Sequence, residues 1–161
     1  MDIIVQLNKL NQKVNCIFLG EGPLKKEVEK KAKELNIYDQ CQFPGNIENV
    51  EEYLWKSNLY IHTANYEPLG LVILEAMASG LPVISLDGGG NRDLLENTKN
   101  GFLIENPDAV LFSEMIIYIW KNEKVRTEMS ENAVKFANNF SIDKYCNSLI
   151  ELYKNEIECA V

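Results

Sequence analysis

The chain of 161 residues has one histidine, and its four cysteines, Cys16, Cys41, Cys146 and Cys159, show no C-x-x-C spacing. Zinc-type sites need clustered thiolate or imidazole ligands. None can be assembled locally, so no metal and no resident cofactor are expected. Basic residues are also in deficit, 16 Lys and Arg against 24 Asp and Glu, for a net charge of −8. Without a basic stripe to follow a phosphate backbone, nucleic acid is excluded as an expected partner. The one lysine-rich run, Lys25 to Glu34, has glutamates interleaved and reads as a solvated helix face with i,i+4 pairs. No apolar run is long enough to span a membrane, and Met1 to Leu7 turns polar too soon for a signal peptide. A cytoplasmic location is therefore the default, and Cys16, inside an apolar run, reads as buried core. Repeats, low-complexity tracts and linkers are lacking too. With 46% hydrophobic and 25% charged residues, the composition argues against disorder and for one domain over residues 1–161.

What is present is an alternation of short apolar runs with helical periodicity. Helices are expected over residues 2–12, from Pro23 to about Leu35, over 48–56 and from Leu69 to Ser79, with a short one near Arg92–Glu96. Strands are expected at Val14–Leu19, Cys41–Phe43, Leu59–His62, Pro82–Leu86 and Gly101–Ile104. After Pro107 the pattern is helical through 108–121, 124–138 and 142–157. The segment from Leu69 to Ser79 is apolar nearly all round, which predicts deep burial, and it stops at Gly80 before Pro82. Strands apolar on both faces and alternating with helices specify an α/β fold. It is three-layered, with a mostly parallel sheet of about five strands covered by helices on both sides, and helices occupy 123–161. Trp55, Tyr118 and Trp120 sit at helical spacing among apolar residues and are expected in the core.

Ligands of such sheets bind beyond the carboxyl ends of the strands, and three loops follow strand ends here. They are Gly20-Glu21-Gly22-Pro23, the stretch from His62 to Gly70, and Asp87-Gly88-Gly89-Gly90-Asn91-Arg92. Glycine lets backbone amides approach an anion, and a helix N-terminus adds free N–H groups. Gly70, Leu71 and Val72 are thus diphosphate-binding candidates, although loops after strands need glycine in any case. Glu67 precedes the apolar helix and Glu75 lies eight residues on, within it. A carboxylate buried there needs donors such as sugar or ribose hydroxyls; the alternative is that Glu75 faces solvent or caps a loop. His62 ends a strand on this rim, suited either to a sugar or phosphate contact or to a structural hydrogen bond within its loop. Arg92 either reaches the rim or pairs with Asp93 or Glu96.

The block from Glu67-Pro68-Leu69-Gly70-Leu71 through Glu75, Gly80 and Pro82-Val83-Ile84 resembles the two-glutamate region of family 4 retaining glycosyltransferases. Gly20-Glu21-Gly22-Pro23, Phe43-Pro44-Gly45, the glycine triplet and Asn100-Gly101-Phe102-Leu103-Ile104 follow in the family's order, so the resemblance covers about residues 1–122. It implies one half of a GT-B architecture of two facing Rossmann-like domains. The implied reaction is transfer of a sugar from a nucleoside diphosphate to an acceptor hydroxyl with retention, commonly without metal, in polysaccharide biosynthesis. Glu75 would accept hydrogen bonds from the ribose and Glu67 would contact the transferred sugar as the catalytic carboxylate. The amides of Leu69, Gly70 and Leu71 would hold sugar and diphosphate. Phe43, Gly45 and Ile47, with Val50 and Tyr53, would receive the base. Gly20 and Gly22 would leave room for the nucleotide, with His62 at the edge of the donor site.

Leu69 stands where the family has phenylalanine. More consequential, the family's domain opens with a strand followed by an Arg and a Lys that neutralise the diphosphate, and Met1 falls at about the helix after them. In the family strand order 3-2-1-4-5-6 that strand is central. Either Val14–Leu19 re-pairs with Leu59–His62, or another chain fills the gap, or it stays imperfect. The acceptor-binding amino-terminal domain is expected from elsewhere, as a missing half or a partner chain, with any peripheral membrane association left to the full-length enzyme. The alternatives are a non-catalytic nucleotide-sugar-binding module that docks a separate amino-terminal domain, a different GT-B enzyme such as a sugar-nucleotide epimerase, and an unrelated doubly wound regulatory domain.

Overall fold

The computed structural model describes residues 1–159, so the last two residues of the expected domain lie outside the described residues. The elements come in the expected order: α1 (Asp2–Lys9), β1 (Cys16–Leu19), α2 (Lys25–Glu34), β2 (Cys41–Gly45), α3 (Val50–Trp55), β3 (Tyr60–His62), α4 (Leu71–Ala78), β4 (Val83–Leu86), β5 (Gly101–Ile104), α5 (Ala109–Lys121), α6 (Glu123–Ala137) and α7 (Ile142–Cys159). Most are shorter than their sequence patterns. α1 stops because Asn11 adopts φ 55°, and the turn near Arg92 is a single 3-10 turn over Gly90–Asp93. No helix of the described residues is long and apolar enough to cross a membrane.

All strand pairings are parallel, but they form two sheets rather than one. β1 pairs with β2, and β3, β4 and β5 pair in that order. Around β4 the chain builds three layers. Val83 faces a cluster with Ile73, Met77 and Ala133 from α4 and α6, while Ile84 and Leu86 face Leu7, Phe112 and Ile116 from α1 and α5. Helix α1 ties the two sheets together. Leu7 belongs to the β4 cluster, whereas Ile4 packs with Ala32 and Ile37 under Cys16, Phe18 and Phe43 of β1 and β2. Of the outcomes foreseen for the gap, re-pairing of β1 with β3 does not occur; each keeps an edge without a strand partner among the described residues.

Several expectations are corrected. Burial on both faces holds for β4 alone, since β1 alternates and leaves Ile17 and Leu19 exposed where no helix layer covers them. Helix α4 is not buried all round. It presents Ile73, Leu74, Ala76 and Met77 to the core and leaves Leu71, Val72 and Glu75 exposed, with Leu71 at 61%. Trp55, Tyr118 and Trp120 are exposed rather than core, at 68%, 43% and 59%. The core stripe of α5 runs through Phe112, Ser113, Ile116 and Ile119, and Trp120 falls outside it beneath the Arg126 guanidinium, 5.5 Å from the ring centroid. The lysine run behaves as expected: only Ala32 of α2 is buried, and Lys30 pairs with Glu34 at 3.5 Å. Helix α6 is latched to the turn after α4 by Ser130 Oγ, which donates to the Gly80 carbonyl at 2.6 Å. Beyond it, α7 leaves Ile142, Tyr145, Ile150, Tyr153 and Ile157 exposed.

Two sheet edges without partners leave peptide groups to water and forgo the packing of a continuous sheet. The isolated chain is expected to be marginally stable, with a broad, low-temperature transition in circular dichroism. A sharp cooperative transition at high temperature from a monomer contradicts this.

Candidate functional site

β3 ends at His62, and the loop after it returns to the sheet through Glu67. The Glu67 amide donates to the Gly88 carbonyl at 2.8 Å, and the Gly90 amide donates to the Glu67 carbonyl at 2.9 Å. The second and third rim loops are therefore one pinned unit. Their approach is so close that a Cβ on Gly90 would lie 1.8 Å from the Pro68 carbonyl oxygen. Glycine is obligatory there for steric reasons, at a position where loop composition alone gave only a weak signal.

The same loop is held from below by buried amide chemistry. Asn91, fully buried, accepts from the Gly88 amide at 2.9 Å and donates to Ser85 Oγ at 2.7 Å and to the Leu86 carbonyl. The sequence pattern did not single out Ser85 or Asn91; an Asn directly after a glycine triplet was the available signal, since Asn commonly braces turns. Arg92 takes neither of its expected partners. It pairs with Asp87, which lies under the loop and also accepts from the Gly89 amide at 3.3 Å. The Arg92 guanidinium, first through this hydrogen bond, holds the Asp87 carboxyl below the usual carboxylate range.

Glu67 itself turns back onto α4. Its Oε1 accepts from the Gly70 amide at 2.8 Å and from Leu69 at 3.4 Å, just ahead of the first turn of a helix whose N-cap Gly70 has φ 80°. Two of the three amides that the resemblance assigns to sugar and diphosphate are thus engaged by a side chain of the protein. The amides of Leu71 and Val72, in the first turn, have no intrahelical acceptor. Glu75 is one turn further along the exposed face of α4. Both carboxylates act on Tyr60, whose hydroxyl is pushed up to about 12 by burial first and then by the charges of Glu75 and Glu67. Tyr60 stacks against His62 at 6.2 Å. The His62 Nε2 is buried and lacks a hydrogen-bond partner; Glu67 Oε2 lies 3.5 Å away without hydrogen-bonding geometry. A structural hydrogen bond at that nitrogen is therefore absent. Burial lowers the His62 pKa, with the Glu67 charge opposing the shift.

His62, Glu67, Leu69, Gly70, Leu71 and Glu75 are brought together by β3 and α4. Of the remaining candidates, Gly20, Gly22, Phe43, Gly45 and Ile47 lie in or just after β1 and β2, and Tyr53 lies on α3. Gly20 donates to the Gly45 carbonyl at 2.8 Å, and both Gly20 and Gly22 face open space. Phe43 stacks on Phe18 at 5.1 Å and on Tyr38 at 6.0 Å, so its ring is committed to packing. Ile47 and Tyr53 are half-buried. A shallow cavity of about 280 Å³ between β5 and α5, lined by Asn97, Phe102, Leu103, Ile104, Leu111 and Met115, contains none of these residues.

A sequence profile described as "Glycosyl transferases group 1" matches residues 2–136. The chain belongs to the group 1 glycosyl transferases. Among relatives of that family type, it is 31% identical over 134 residues to N-acetyl-alpha-D-glucosaminyl L-malate synthase of Bacillus anthracis, covering 82% of this chain and 35% of that protein. It is 28% identical over 161 residues to poly(ribitol-phosphate) alpha-N-acetylglucosaminyltransferase of Staphylococcus aureus, covering 96% and 32%. The chain therefore spans about a third of the length of these curated relatives. The structure of Anabaena HepE in complex with UDP and glucose superposes with a TM-score of 0.85 at 24% identity, over 96% of this chain and 44% of that one. A likeness at that identity establishes the fold, a Rossmann-like domain of the group 1 family.

The pinned loop makes its own stability forecast. Gly90→Ala is expected to cost about 3 kcal/mol or more, because backbone must move, and Asn91→Ala about 1–3 kcal/mol for the orphaned Gly88 amide; urea titration measures both. An equal, sub-kilocalorie effect of the two contradicts the geometry. For His62 the folded pKa lies below the unfolded one, so the unfolded chain binds the proton more readily. Its contribution is intact above about pH 6.5 and is lost as pH falls below that value. Melting temperature should fall with acidification in that window, less steeply in His62→Asn. Identical slopes in both proteins exclude His62 as the source.

Proposed function

We propose that this chain is the donor-binding half of a retaining glycosyltransferase. It binds a nucleoside-diphosphate sugar and, with an acceptor-binding half, transfers the sugar to an acceptor hydroxyl. The observation that carries this is the convergence of Glu67, Glu75 and the open first turn of α4 on one strand-end rim in a chain of the group 1 family. A related structure bound to UDP-glucose lends support to a uridine nucleotide as the first donor to try.

In this mechanism Glu75 accepts hydrogen bonds from the ribose, and the Leu71 and Val72 amides face the diphosphate. Glu67 contacts the transferred sugar once its carboxylate releases the Gly70 amide or shares it. The bond from the sugar's anomeric carbon to the phosphate oxygen breaks, and the departing oxygen takes the acceptor's proton. The acceptor oxygen then bonds to that carbon on the same face. Preorganised amides stabilise charge on the leaving group as it develops, and no resident cofactor takes part.

One observation limits what the chain does by itself. Arg92, the cation on the glycine loop, is held by Asp87, leaving the rim poor in free positive charge. Donor binding by the isolated chain is accordingly weak and turnover slight. Thermal-shift screening against UDP-, GDP- and ADP-sugars should give a small shift with one class at millimolar concentrations. Joined to the rest of its enzyme, Glu75→Gln should weaken donor binding by roughly 10- to 100-fold, as expected for lost hydrogen bonds to a charged group. Unchanged affinity sinks the ribose role. Tight binding by the isolated chain, measured by calorimetry, removes the need for a second half.

A further inference from the structure

Two thiols outside the rim sit opposite each other at the start of the smaller sheet. Cys16 and Cys41 are register partners in the parallel β1–β2 ladder, and both are free. Register partners in a parallel pair point their side chains to the same face, and both cysteines pack on one cluster, that of Ile4, Ala32 and Ile37. Adjacent strands lie about 4.8 Å apart, inside the range of about 4.4–6.8 Å over which disulfide-bonded Cα atoms are found. Both residues are half-buried, so a small reagent has a route to them. The opposite end of the same ladder carries the Gly20–Gly45 hydrogen bond.

We propose that Cys16 and Cys41 form a dithiol site that closes to a strand-bridging disulfide by exchange with a low-molecular-weight disulfide such as oxidised glutathione. One protein thiolate attacks the small disulfide, forming a mixed disulfide and expelling one glutathione thiolate. The second protein thiolate then attacks the protein sulfur of that mixed disulfide and expels the other. Two protein thiols are oxidised, one small disulfide is reduced to two thiols, and the two thiol protons pass to solvent and the departing thiolates. The bridge fixes the first rung of a two-stranded sheet that is otherwise held by α1 packing. Burial pushes the Cys16 thiol up to about 11, with Cys41 adding to the shift, and burial raises the Cys41 thiol as well. Closure is therefore slow at neutral pH and accelerates as pH rises, because the thiolate is the attacking species.

The test is oxidised glutathione added to the full chain in the background Cys146→Ser/Cys159→Ser, followed by intact mass and peptide mapping without reductant. The expected product has lost two hydrogens, carries a Cys16–Cys41 cross-linked peptide, melts at a higher temperature and reverts with dithiothreitol. Its exchange constant should exceed that of the same chain in urea by tenfold or more, because the folded ladder presets the pair. Cys41→Ser should instead retain glutathione at Cys16 or stay unmodified. Separate glutathione adducts on both cysteines, no reaction while the wild-type chain is modified at Cys146, cross-links between two chains, or equal constants in buffer and urea each overturn the proposal. None of these outcomes bears on donor binding, which is assayed separately.

Discussion

Where Gly90 passes the Pro68 carbonyl, two backbones meet with no room for a single carbon atom between them. That approach exists because the Gly90 amide donates to the Glu67 carbonyl and the Glu67 amide to the Gly88 carbonyl, so the main-chain groups of one residue join two loops. The direction of the Glu67 carboxylate follows from this clamp. With its backbone fixed on one side by the glycine loop, its side chain is led over the start of α4, where the Gly70 and Leu69 amides await an acceptor. Asn91 supports the loop from the buried side through Ser85 and Leu86 at the end of β4, and β4 is the one strand buried on both faces. The glycine loop thus rests on the most deeply buried strand among the described residues, which suits a position that must hold charged groups within narrow limits.

The smaller sheet stands in contrast. β1 and β2 are joined to the rest largely through α1, whose Ile4 and Leu7 serve two clusters at once. The rim candidates are therefore divided between two separately packed sheets. Gly20, Gly22, Gly45 and Phe43 lie in or just after β1 and β2, apart from Glu67 and Glu75. A Cβ on Gly20 or Gly22 would meet open space, but the Gly20 amide is already taken by the Gly45 carbonyl of β2.

Much of this was legible in sequence because it follows local periodicity. Short apolar runs alternating with helical periodicity gave the strands and their place along the chain, and Glu67 and Glu75 stand out through their placement about an apolar helix. What escaped was decided by neighbours distant in sequence. α4 looks buried all round because Leu71 and Val72 are as apolar as Ile73 and Leu74; only the absence of a covering layer leaves them exposed. Trp55 and Trp120 mislead in the same way. The Asp87–Arg92 pair closes around a glycine turn whose path side-chain chemistry does not report. The Ser85–Asn91 contact joins a strand residue to a loop residue, a pairing that no 3.6- or 2-residue period encodes. The parallel pairing of the strands, a non-local feature, did follow from their alternation with helices, whereas the family resemblance left the pairing of β1 with β3 open and the structure leaves the two unpaired.

Electrostatics then limits what the rim does by itself. Glu67, Glu75 and Asp87 put three carboxylates around the first turn of α4 and the glycine loop. Against them stand Arg92, already paired with Asp87, and His62, whose burial favours the neutral imidazole. Lys25, at the start of α2, is engaged by Glu21 at 2.9 Å. The open amides of one helix end contribute about 0.3–1 kcal/mol toward an anion at an exposed site. Coulomb repulsion from several carboxylates is of similar or larger size at the dielectric of a protein surface. The Arg92–Asp87 pair therefore fixes the charge of this rim: releasing Arg92 toward an anion uncovers the Asp87 carboxylate beside it, which cancels much of the gain. With the pair kept, Asp87 is neutralised and the glycine loop stays braced, so the open Leu71 and Val72 amides are what the rim retains for attracting an anion.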